Sequence, residues 1–169
     1  MDRSVDALTR YDEDVFAWSR EQADVLRTLL ARPGLPNGLD LPNVIEEIED
    51  VGNNQLHAVE SCIRLILVHL IKVVSSRSPE PKRHWLAEIV SFHADLMQRY
   101  TPSMRQAVDL DRLWRRALKQ SSASLEAEGE EVVLDMRSAC PVHLDQLTSE
   151  ELDRAQLVAQ VEAASASHA

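Results

Sequence analysis

The stretch from Pro42 to Val74 constrains the fold more than any other part of the chain. Apolar residues recur along it at three- and four-residue steps, through Val44, Ile48, Val51, Val59, Cys62, Ile66 and Val73, and Pro42 is preorganised for a first helical turn. The spacing predicts one helix over 42–74, which at about 1.5 Å per residue extends roughly 50 Å. Other helices must then pack along its side rather than around its ends. In its second half Leu65, Val68 and Ile71 fall outside the main stripe, so this segment is either sandwiched between neighbouring helices or part of a subunit interface.

The remaining segments also carry helical signals. Val15, Trp18, Val25, Leu26 and Leu29 predict a first helix over about 12–30, with Asp12, Glu13 and Asp14 at its start and Pro33-Gly34 ending it. After a loop over 75–81, Trp85, Ile89, Phe92 and Leu96 trace a third helix ending near Tyr100. Thr101 and Pro102 suit the cap and first position of a fourth, with Met104, Val108, Trp114, Leu118 and Leu125 as its apolar contacts. Beyond Gly129, Val132–Met136 is expected to form a further helical turn or two. Residues 140–147 suggest a loop with a short docked helix, and Thr148 is the expected cap of a last amphipathic stretch through Val161.

Four glycines and two phenylalanines in 169 residues are few for a sandwich or barrel. The expected fold is therefore all-α: an up-and-down bundle of four main helices with an irregular, short-helical C-terminal segment docked across it. One domain is expected over 1–152, followed by a helical extension over 153–169 whose alanine- and serine-rich end frays.

A formal net charge of −10 repels phosphate backbones and disfavours nucleic acid as a partner. Against that background Arg112, Arg115, Arg116 and Lys119 form one basic strip at helical spacing, a feature usually explained as a solvated face. Cys62 and Cys140 form no metal knuckle or disulfide framework and are expected to be free thiols. The acidic N-terminus has no secretory character, so a cytoplasmic address is expected. The apolar run Ile63–Val74 contains Arg64, His69 and Lys72, and is too short and too charged to cross a bilayer.

Three segments carry a family resemblance in order and spacing: Tyr11 to Trp18, Leu39 to Gly52, and Cys140 to Leu147. Glu60 to Arg64, His69 to Lys72 and Trp85 extend it between them. The chain resembles the bacterial family catalogued as domain of unknown function 29, over roughly Tyr11 to Leu152. The resemblance implies a compact, all-helical bacterial protein and no assigned activity. It departs from the family pattern at Val73, where an aromatic residue is common.

The candidate chemistry starts with Glu46, Glu47, Glu49 and Asp50. Carboxylates three residues apart share a helix face, so these pairs could hold Mg²⁺ or Mn²⁺ through oxygen ligands. The spacing resembles the all-α nucleotide pyrophosphohydrolases, which need a second acidic helix; Glu126, Glu128, Glu130 and Glu131 are the available residues, and they surround an expected helix end. The plainer explanation is that carboxylates near a helix N-terminus stabilise it through the macrodipole. His69 and His93 could approach the core, meet, and act as ligands or a general base, or simply be hydrogen-bonded at its boundary. His57 and Glu60 are expected to point outward. A nucleophile elbow and a glycine-rich phosphate loop are both missing from the sequence. The leading expectation is a non-enzymatic module without cofactor that binds a protein partner or itself through Leu65, Val68 and Ile71, giving a possible homo-oligomer. The alternative is a Mg- or Mn-dependent hydrolase of nucleotide or phosphate substrates, and a DNA-binding role for the basic strip ranks third.

Overall fold

A computed structural model describes residues 10–135 and 138–166, and among these residues it is all-α, without a strand. In chain order it has α1 (Val15–Leu30), α2 (Leu41–Ser75), α3 (Pro79–Met97), a 3-10 helix (Pro102–Gln106), α4 (Leu110–Glu126), α5 (Leu144–Leu147) and α6 (Arg154–Ala166). The chain divides into two compact units, Met1–Ala58 with Thr101–Ala107 and Val59–Tyr100 with Val108–Ala169. The long helix predicted over 42–74 is present as α2, and it contributes residues to both.

In the first unit, residues 10–13 are also helical, and a break at Asp14 separates them from α1, for which Asp14 is the cap, accepting the Ala17 N–H at 2.9 Å. The same carboxylate oxygen accepts the hydroxyls of Thr101 at 3.2 Å and Ser103 at 3.0 Å, which fastens the 3-10 helix to the start of α1. Ala23, Leu41 and Ile45 form a buried cluster, with Leu26, Leu29 and Leu35 packed against it. The helices approach closely at Gly52, where a Cβ would lie 2.0 Å from Ser19 Oγ. Ser19 is itself buried and donates its hydroxyl to the Phe16 carbonyl at 3.0 Å.

This close approach corrects the predicted stripe on α2. The buried face is Leu41, Ile45, Gly52 and Leu56, whereas Val44 and Val51 remain 39% and 41% exposed. Only the side carrying the glycine admits α1, so the packed face is turned away from the valines. Val25, predicted on the α1 stripe, is exposed for a related reason: Phe16, Ser19 and Ala23 form the buried line, and two of these are small.

In the second unit, Ile63, Ile66, Leu67, Leu70 and Ile71 of α2 are fully buried. Neighbouring helices cover this segment on more than one side. Lys72 Nζ stands 4.5 Å from the Trp85 ring centre, and His69 packs against Phe92, so α3 runs antiparallel to α2. Glu60 pairs with Arg112, Arg64 with Gln120, and Ser121 Oγ donates to the Val68 carbonyl at 3.3 Å, so α4 runs parallel to α2. Val73 is buried with Trp85 and Leu125.

Several boundaries differ from expectation. Helix α3 begins at Pro79, inside the predicted loop, because prolines are tolerated in a first turn whose N–H groups have no helical acceptor. Thr101-Pro102 starts only a 3-10 helix; α4 begins at Leu110, where the Asp109 side chain accepts the Arg112 N–H at 2.9 Å. Residues 130–135 are not helical, contrary to prediction. There the Val133 N–H donates to Ser75 Oγ at 3.3 Å, and Val132 packs on the Val73, Trp85 and Leu125 cluster. Met136, the end of that predicted run, lies outside the described residues. The short helix α5 is present as expected. Helix α6 is capped by Asp153, which accepts the Gln156 N–H at 2.9 Å, while the predicted cap Thr148 donates back to the Leu144 carbonyl. Leu157 and Val161 of α6 are buried, and Val158 packs on the same cluster as Val132.

Candidate functional site

The acidic residues of α2 face mostly outward. Glu46, Glu47 and Asp50 are exposed, and Glu49 pairs with Arg27 at 2.5 Å, a contact that raises the Arg27 pKa. Among the described residues, no three His, Cys, Asp or Glu side chains gather to hold a metal ion. Of the four glutamates considered for a second set, Glu126 accepts the Ser122 hydroxyl and Glu130 accepts the Arg77 N–H. What the α2 surface does present is mixed apolar and acidic. Glu47 lies three residues after Val44 and four before Val51, with half-buried Ile48 beside it, so the four share one helix face.

The histidines have separate partners. His69 places Nδ1 2.8 Å from the Leu65 carbonyl and Nε2 2.8 Å from Glu88 Oε2, so each ring nitrogen faces an acceptor. The same Glu88 oxygen lies 3.4 Å from His84 Nε2. His93 Nε2 donates to the Ser149 carbonyl at 2.9 Å. The two buried histidines are thus hydrogen-bonded to different parts of the chain. Val68 and Ile71 are 3% and 0% exposed, so of the three expected interface residues only half-buried Leu65 reaches the surface. Glu60, expected to point outward, is only 7% exposed and pairs with Arg112, because α4 packs over that side of α2.

The face of α4 away from the core is cationic. Arg112, Arg115, Arg116 and Lys119 recur at i, i+3, i+4 and i+7 and line a cleft of about 310 Å³. Glu60 and Asp109 hold Arg112. Arg115, Arg116 and Lys119 form no ion pair with any described residue. Asp111, one turn before Arg115, instead accepts the Cys140 N–H at 3.0 Å. Burial pushes the Cys140 thiol up to about 12, and it raises the Cys62 thiol as well.

A family model described as domain of unknown function DUF29 matches residues 10–163. The chain belongs to the DUF29 family. Among solved structures, this DUF29 protein is similar to an alpha-helical protein of unknown function from Rhodospirillum rubrum, with a TM-score of 0.78 and 34% identity over 89% of this chain and 96% of that one. No curated protein matches the DUF29 chain. No described helix is long and apolar enough to cross a membrane.

The sequence made the basic strip of this DUF29 protein visible through its spacing, but left Glu88 and Asp111 unremarked. Glu88 is 19 positions from its partner His69, and Asp111 is 29 from Cys140, so no local pattern connects them. The i, i+4 spacing of His84 and Glu88 was the one signal available.

Proposed function

We propose that this DUF29 protein is a non-enzymatic docking module, and that the face of α2 bearing Val44, Glu47, Ile48 and Val51 receives an amphipathic, basic-rimmed helix of a protein partner. The carrying observation is that Val44 and Val51 are 39% and 41% exposed on one helix face with a carboxylate between them. Single exposed apolar residues are ordinary, but two that share a face can bury together under one partner helix. The acidic residue within the stripe, and Glu46 and Asp50 farther round, favour a partner carrying lysine or arginine at its rim. The same charge opposes a second copy, since antiparallel pairing of two such faces would bring Glu47 close to its counterpart.

Photo-crosslinking residues placed at Val44, Val51 and, as a control, the exposed Val90 test this in cells that make the full-length protein. The expected result is one shared partner crosslinked from both α2 positions, absent from Val90, and lost with Glu47→Lys. Crosslinks joining two copies of the chain would replace the partner by self-association. If Val44 and Val51 crosslink no more than Val90, the proposal is wrong.

A further inference from the structure

We infer that the cationic cleft on α4 is a binding site for a small molecule carrying a di- or triphosphate group. Four observations combine. Arg112, Arg115, Arg116 and Lys119 converge on a cleft of about 310 Å³, a volume at the lower end of small-ligand pockets. Three of the four cations have no ion-pair partner among the described residues, although acidic residues outnumber basic ones by 28 to 18 in the chain. The acidic side chain nearest in sequence to the unpaired cations is turned away from them: Asp111 accepts the Cys140 N–H. Finally, Glu60 and Asp109 hold the Arg112 guanidinium at one end of the row.

Arginine suits this ligand because its planar fork donates two parallel hydrogen bonds to one phosphate. Lys119 lies seven positions after Arg112, about 10 Å along the helix, so successive phosphates can each meet a different cation. A long nucleic acid fits less well. Screening confines the attraction of the strip to about 8 Å at physiological salt, and beyond it an extended polyanion meets a chain of net charge −10.

The test is calorimetric titration of the full chain with inorganic tripolyphosphate at physiological salt without divalent cations, with orthophosphate and a 20-base-pair DNA duplex as parallel probes. One-site binding of tripolyphosphate is expected, about tenfold or more tighter than orthophosphate. It should weaken at least about tenfold in Arg115→Gln/Arg116→Gln and be unchanged in Lys82→Gln/Arg83→Gln, a control pair of cations on α3. These α4 side chains are exposed, so the double variant should keep the native circular dichroism spectrum; Lys119→Gln provides a second, milder variant. Equal affinity for orthophosphate and tripolyphosphate, equal loss in both double variants, or binding of DNA alone would each overturn the inference.

Discussion

Gly52 shows how one residue can set a helix contact. Glycine inside a helix costs about 1 kcal/mol relative to alanine, yet here alanine would place its Cβ 2.0 Å from Ser19 Oγ. Gly52→Ala should therefore destabilise the fold, by about 1–3 kcal/mol, despite its better helix propensity. Urea unfolding checks the sign, and Ser19→Ala in the same chain should recover part of the loss. Cys140 makes a second prediction. With its pKa raised from the ordinary 9.0 to about 12 by burial, the folded state favours the neutral thiol. That contribution to stability is complete below pH 9 and is lost as the pH rises toward 12. Alkylation by iodoacetamide at pH 8 should accordingly be slow in the folded protein and rapid in urea; equal rates would contradict the burial of this thiol.

At the scale of elements, capping decides where helices begin. Asp14, Asp109 and Asp153 each accept a backbone N–H three positions ahead, and each marks a start that apolar periodicity places less well. Asp14 has the further duty of accepting the Thr101 and Ser103 hydroxyls, so Asp14→Ala should cost more than an ordinary cap, about 1–3 kcal/mol. Asp153→Ala, which loses only a cap bond, should cost about 1 kcal/mol, and comparison of the two by chemical denaturation separates the contributions. Within α2, Leu70 is fully buried, and Leu70→Ala should cost about 2–5 kcal/mol through lost burial and the cavity left behind.

For the whole molecule, the two proposed surfaces are chemically opposite, one apolar and acidic on α2, the other cationic on α4. Both lie on helix faces that the core does not use, so their loss should separate binding from stability. Val44→Asp/Val51→Asp is expected to change unfolding free energy by about 1 kcal/mol or less, while abolishing partner crosslinking from a photo-crosslinking residue placed at Ile48 on the same face. A large drop in melting temperature would show instead that the valines support the fold.

The sequence by itself determined that the chain is all-helical, that one helix runs from about residue 42 to 74, and that it belongs with the DUF29 proteins. These are properties of local spacing: apolar residues repeating with the helical period, prolines and glycines between the repeats, and motifs that keep their order. It also marked the α4 cations, because i, i+3, i+4 and i+7 share a face without help from any other element. Tertiary structure decided which side of each helix is covered. The apolar periodicity of α2 fits two faces, one with Leu41, Ile45 and Leu56 and one with Val44 and Val51. Only the first carries Gly52, whose missing side chain lets α1 approach. Likewise Val68, Ile71 and Glu60 became internal only because α3 and α4 pack over them, and such pairings depend on residues far apart in the chain.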